Sequence, residues 1–562
     1  MWRCGARVSG EKNSKTAQAN APSIHGRSEV FRQVLTPVSG DLLPSFLVAS
    51  APIVVVLVML GVLRRPAWQA SLLGLICGLA IAVTIWKLPL VLALNSAAAG
   101  ATFALWPVMW IVFNSLVLYN ITQKSGRFTA FRCWVIDHLP NDRRIVLVVI
   151  GFCLGCLLEG VAGFGAPVAI TGALLIALGF QPLQALVYTL MFNTAPVAFG
   201  ALGVPVTTLA AVTELPARSL AAMIGRELPF LALLLPFYVV GAYAGWRSIK
   251  RLWPVLLVAG GSFACGQFLA SNYLGYELTD VVSSLSCLVF TLAFLRVWRP
   301  PHDPEYALEV SPELRAETSP VPTWQGWMPW LVLSAMVIVW TTMKVNLIDQ
   351  IAVKWPGLHN AVFITVYNKP YAAVWTFQPL ASGTAILVTS LIVALLVGMG
   401  PKGFFGCVAR TLVQVRMATL TVTLIVALAY VMNYAGMTYT LGMAVASVGA
   451  VFPFVSAFLG WAAVFLSGSD TSGNALFGNL QVVAARQLHL SPVLMAATNS
   501  SGGVMGKMIS PQNIATGAAV TGMTGREGAV LARTFLHSII FALLLGGLVM
   551  LQQYVIPQII PA

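Results

Sequence analysis

Two carboxylates in this chain stand where apolar surroundings make a charge expensive. Glu159 ends the run IVLVVIGFCLGCLLEG, and Asp470 ends WAAVFLSGSD. A carboxyl in low dielectric is driven toward its neutral form and can take up and release a proton over a working cycle. Glu159 is the first choice for such proton coupling and Asp470 the second. The context SDTSGNAL also suits Asp470 as a helix N-cap that accepts backbone N–H bonds. Lys507 is the lone cation of NSSGGVMGKMISPQ, and a lysine in such a setting must pair with an acid or an anionic ligand. Glu159, Asp470 and a bound carboxylate are all candidates for that partner. Arg226 and Glu227, close to Pro229, read as interfacial anchors that snorkel toward water. Cys153 and Cys156 form a C-x-x-C inside an apolar run, which reads as a packing pair and not a redox centre. The histidines occur singly, so no zinc or haem site and no cofactor are expected.

The elements that position these groups must lie in a membrane. Of 562 residues, 58% are hydrophobic and 9% charged, where a soluble protein carries roughly a quarter charged residues. That composition excludes a soluble enzyme. Apolar stretches of about 20 residues, long enough to cross the hydrocarbon layer, follow one another from residue 44 onward. The expected fold is an all-α polytopic membrane protein of about twelve to fourteen transmembrane helices. Pieces near 166–180 and 473–487 are too short or too broken to span, and they read as re-entrant. The net charge of +14 (32 Lys and Arg against 18 Asp and Glu) sits largely in short loops, which marks topology and not nucleic-acid binding. Loops at 64–65, 124–144, 247–251, 296–299 and 402–416 are therefore expected inside, and the acidic turn with Glu277 and Asp280 outside. Residues 1–40 form a basic tail without the apolar core of a secretory signal. Residues 41–299 then make a first transmembrane half, 300–326 an acidic, proline-containing cytoplasmic connection, and 327–562 a second half.

The halves share a pattern. LEGVAGFG (158–165) is followed by NTAPVAFGALGVP (193–205), and LSGSDTSG (466–473) by NSSGGVMGKMISP (499–511). Leu-x-Gly-x4-Gly and Asn-x6-Gly-x4-Pro recur in register, which predicts two structural repeats. Glycine, proline and small polar residues at matched places break the helical ladder and free backbone groups that lipid cannot satisfy. Such breaks survive beside a wet cavity or a polar ligand, and the freed N–H groups of a half-helix start can hold an anion. The competing reading is that these glycines only allow close helix packing. Asn193, Thr194, Ser469, Asp470, Thr471, Asn474, Asn499, Ser500 and Ser501 add hydrogen-bonding groups that packing alone does not need.

LEGVAGFGAPVAITGALL, FNTAPVAFGALGVPV, WPVLLVAGGSFACGQ, FLSGSDTSGNALFGNLQ and GGVMGKMISPQNIA closely resemble the L-lactate permease family over roughly residues 36–556. The resemblance implies a bacterial cytoplasmic-membrane symporter that imports lactate, and often glycolate or related 2-hydroxymonocarboxylates, with protons. It also implies inverted repeats with re-entrant hairpins. Gly473 stands where a serine is common in the family. Combined with the residue reading, the substrate carboxylate would be held by half-helix starts around Gly163, Gly165, Ser469, Thr471 and Gly473, with Lys507. Asn193, Thr194 or Asn499 would read the hydroxyl, and Glu159 would take the proton. A Na⁺-coupled carboxylate carrier is the nearer rival, since unwound carbonyls beside Asn and Ser also suit Na⁺. A membrane-embedded hydrolase using Ser467, Ser469 or Ser501 with Lys507 as base is the more distant one. A non-transporting sensor or scaffold would need a soluble domain, and none is legible.

Overall fold

Helices follow directly from the apolar runs, and several begin with proline in their first turn, where its missing N–H costs nothing. The computed structural model describes residues 30–61, 63, 65–161, 166–301, 303–308, 321–345, 348–523 and 526–561. Among them, nine helices are long and apolar enough to cross a membrane, or ten if a bent pair counts as one span. The stretch Ala217–Leu274, 58 residues long, makes two of the expected crossings as one element, reversed at Gly245 (φ 75°, ψ 176°). Met328–Thr342 and Ser382–Leu396, of 15 residues each, also run from one face of the protein to the other.

One face is basic. Lys124 donates to the carbonyl of Gly403 (3.2 Å), and Phe131 packs edge-on against Trp327. Arg144 and Arg251 converge on Asp303 at 3.1 and 2.9 Å. Of the loops that the charge pattern assigned to one side, 124–144, 247–251 and 402–416 meet here, and the start of the acidic connection is docked there by ion pairs. On the opposite face lies a small β-structure absent from the all-helical expectation. Strand Phe31–Arg32 pairs in parallel with Val362–Ile364, and Ile351–Lys354 pairs antiparallel with Val374–Phe377. Asn95 and Trp106 donate to the carbonyls of Pro356 and Gln378, tying this cover to the bundle.

Between the faces, two segments enter and turn back. Arg143–Val161 runs inward from the basic face and is buried from Arg144 onward. Ala166–Ala177 returns to that face, where Phe180 packs on Tyr243 and Tyr243 on Tyr306. Pro182–Phe192 then re-enters, and the chain bends by 63° before continuing to Thr213. Neighbouring Glu214 reaches the opposite face, 3.9 Å from Lys369. In the second half the order is reversed. Phe452–Ser467 runs inward from the opposite face, where Tyr554 donates to the Ala450 carbonyl. Asp470–Gln487 returns there, and the backbone N–H of Ser491 donates to Gln553. Pro492–Lys507 re-enters and Pro511–Thr521 reaches the basic face, where Thr521 lies beside Gly172. A hairpin followed by a broken span therefore occurs twice, in opposite senses.

The breaks are shorter than the polar runs suggested. Asn499 to Gly506 stay helical, and the second broken span opens only after Lys507. Gly460, Gly502 and Gly506 are required by close backbone approach between Phe452–Ser467 and Pro492–Lys507, so these glycines do serve packing. The first break is longer: Ala201, Leu202 and Gly203 all have positive φ (46°, 57° and 79°). Cys153 meets Cys287 across helices (Sγ–Sγ 3.0 Å), and Cys156 lies near the Phe192 carbonyl.

Candidate functional site

Residues of both hairpins and both broken spans line a cavity of about 500 Å³, within the range of small-molecule sites. Glu159, from the tip of the first hairpin, and Lys507, from the end of the second inward half-span, form its charged wall. Ser467 to Ser472 supply the tip of the second hairpin, Gly200, Ala201, Val204 and Pro205 the first broken span, and Gln512 and Asn513 the second. Pro66 to Trp68 and residues from Gln414 to Val422 close the side nearer the basic face.

The central contact is an ion pair between repeats. Lys507 Nζ donates to Glu159 Oε1 at 2.6 Å, with both side chains buried. The other carboxylate oxygen accepts from Asn193 Nδ2 at 3.0 Å, so the matched Asn of the first motif holds the matched Glu. Lys507 is the one cation among the described residues lining this cavity. A buried ion pair of this kind adds little net stability, because desolvation cancels most of the attraction. Its value lies in what can replace one partner.

Asp470 occupies the start of helix Asp470–Gln487. The cap itself is Ser469, whose hydroxyl accepts from the Ser472 N–H at 3.4 Å. The Asp470 carboxylate instead receives Ser500 Oγ at 2.5 Å and Asn474 Nδ2 at 3.2 Å, and Oδ1 has no hydrogen-bond partner. Gly468 makes this geometry with φ 73°, and a side chain there would crowd Ser510 and Gln512. The amide groups behind this tip form a chain: Asn499 donates to Asn474 Oδ1 (2.9 Å), Gln481 donates to Asn499 Oδ1 (2.8 Å), and Ser456 donates to Gln481 Oε1.

The residues expected from sequence are therefore distributed unevenly. Glu159, Ser469, Asp470, Thr471 and Lys507 line the cavity. Asn193 stands behind Glu159, and Thr194 spends its hydroxyl on the Met191 carbonyl (2.7 Å). Asn499 belongs to the amide chain, and Gly473 packs against Val464 and Ala463. None of these four is on the cavity wall. Gly163 and Gly165 lie outside the described residues. Gln512 and Asn513 were not singled out, although they follow the motif directly as SPQN.

Two assignments need correction. Glu227 is fully buried, not at an interface, and its Oε1 contacts Thr498 Oγ1 at 2.7 Å, while Arg226 binds Asn272 and the carbonyl of Ile559. Asp280 is not in an exposed turn: it is buried in the first turn of Thr279–Val297, against Gly160.

Inverted hairpins and broken spans enclosing a charged cavity define a multi-pass membrane protein with the architecture of a secondary transporter. The particular family follows from comparison with known proteins. The L-lactate permease profile matches residues 45–556, and the chain belongs to that family. It is 43% identical to glycolate permease GlcA of Escherichia coli (strain K12) over 553 residues, covering 93% of this chain and 98% of that one. It is 39% identical to the L-lactate permease of Salmonella typhi over 549 residues (93% and 98%). The L-lactate permease of Bacillus subtilis (strain 168) is also 39% identical, over 563 residues (94% and 100%). These relatives are permeases, and the protein is a transporter and not an enzyme. Lys507, the base that a hydrolase reading needs, is held by Glu159 at 2.6 Å.

Proposed function

We propose that the chain imports L-lactate and glycolate with protons across a bacterial cytoplasmic membrane, its basic face inward. The observation that carries this reading is the Lys507–Glu159 pair at the cavity wall. A monocarboxylate entering the cavity competes with Glu159 for the one ammonium group present. The N–H groups that begin helix Asp470–Gln487 add a second electropositive contact. Ser469, Thr471, Gln512 and Asn513, which also line the cavity, offer hydrogen-bond partners for a 2-hydroxyl. Once substrate takes Lys507, Glu159 is a buried carboxylate without a counter-ion, and a proton restores its neutrality. Substrate and proton binding are coupled by that exchange of partners, and the loaded carrier stays electrically balanced. This matters because moving one uncompensated charge costs about 2.3 kcal/mol per 100 mV.

Proteoliposomes test the proposal. Labelled L-lactate and glycolate should accumulate when the outside is acid and should not follow a sodium gradient. Glu159→Gln should lose pH-driven accumulation. Accumulation that follows sodium would establish the Na⁺-coupled alternative, and normal proton-driven uptake by Glu159→Gln would remove Glu159 from the mechanism.

A further inference from the structure

Asp280 has no part in the site described above, yet it is only 1% exposed and neither carboxylate oxygen has a hydrogen-bond partner. No cation of the described residues forms an ion pair with it; Lys507 is already engaged by Glu159. The first turn of its helix lends some positive potential, but no backbone N–H reaches either oxygen. A carboxylate left in that condition is strongly disfavoured, whereas a carboxyl that carries a proton is tolerated.

Its surroundings point to a use. Asp280 packs on the tip of the first hairpin, where a Cβ at Gly160 would lie 2.6 Å from the Asp280 Cβ. Glycine at 160 is what admits the acid beside Glu159. The titratable and charged groups that face it are Glu159 and Cys156 of the hairpin and Lys507 of the second broken span, with Tyr276 and Glu277 preceding it on its own segment. One helical turn before Asp280, Tyr276 lines a second cavity of about 390 Å³. That cavity lies toward the face opposite the basic one, beneath Trp355, Tyr371 and Trp375. The chain thus passes from this outer cavity at Tyr276 to Asp280, which abuts the hairpin that carries Glu159.

We propose that Asp280 is a proton relay which loads Glu159 from the outer cavity. When a substrate carboxylate draws Lys507 away, the O–H bond of Asp280 breaks, an O–H bond forms on Glu159, and hydronium reaching the outer cavity from the external medium returns a proton to Asp280 and leaves as water. The assignment rests on the transport reading above and adds the route by which the proton arrives.

The test uses the full chain in proteoliposomes, with D280N, D280E and wild type measured in two ways. Exchange of labelled L-lactate without a gradient reports substrate handling. Accumulation under one unit of imposed pH difference reports coupling, and a one-proton carrier reaches about tenfold. D280N should exchange within about twofold of wild type and accumulate no label above equilibrium, and D280E should do both. D280N that accumulates like wild type overturns the relay while leaving the substrate reading intact. Should D280N fail to insert or exchange, D280E decides: a displaced pH midpoint of uptake supports the relay, and an unchanged midpoint overturns it. Absence of lactate and glycolate exchange by the wild type, or accumulation that follows sodium, overturns the transport reading and the relay together.

Discussion

Replacing Lys507 by methionine removes one partner of the buried pair and leaves Glu159 with Asn193 alone at 3.0 Å. Breaking such a pair costs about 3–5 kcal/mol, chiefly because the surviving charge is stranded. Lys507→Met should therefore destabilise the protein by about 3–5 kcal/mol at pH 7. The double variant Glu159→Gln/Lys507→Met keeps the volume and removes both charges, and it should return to within about 1 kcal/mol of wild type. Intrinsic-fluorescence melts in detergent across pH 5 to 8 measure all three proteins, and lactate exchange should be lost in both variants. A Lys507→Met protein that melts with wild type at every pH would refute the reasoning, because the pair would then not be desolvated.

Gly468→Ala places a Cβ at positive φ about 2.8–2.9 Å from Gln512 Oε1 and Ser510 Oγ; uptake should fall at least tenfold with the protein still inserted, which size-exclusion profiles and transport assays check together. Thr498→Val leaves the buried Glu227 Oε1 without its partner and should cost about 1–3 kcal/mol, with Glu227→Gln in the same background recovering part of it in thermal melts. On the basic face, Arg251 is half-exposed and Arg144 fully buried. Arg251→Ala should therefore cost under about 1 kcal/mol and Arg144→Ala about 3–5 kcal/mol, a contrast that the same melts detect.

The motif positions were legible because a membrane leaves few reasons for Asn, Ser, Gly and Pro to cluster twice in register. The pairing of Lys507 with one of two acids was narrowed but not decided, since sequence gives no distance between residues 348 positions apart. The opposite sense of the two hairpins came only from the family resemblance and not from the residues themselves: whether the chain around Pro453 crosses or turns back depends on contacts far away, such as Tyr554 with Ala450. Asp280 was hidden because YELTDVVSS reads as an acidic turn, and only Gly160 approaching it reveals that the turn is covered. Glu227 was hidden by its proximity to Arg226, which suggested water where the fold supplies Thr498. The extent of the breaks was overestimated for Asn499 to Gly506, where glycines serve helix contact and the polar side chains bond to one another instead of to freed backbone.

The bond between Glu159 and Lys507 also sets a schedule for biosynthesis. A ribosome adding roughly 5–20 residues per second needs about 20–70 s to proceed from the glutamate to the lysine. Throughout that interval the nascent first hairpin lacks the ammonium that will neutralise it, so its final insertion waits for the end of translation. Chains truncated before residue 507 should consequently remain loosely inserted and fall to membrane quality-control proteases, whereas separately expressed halves should survive only when produced together.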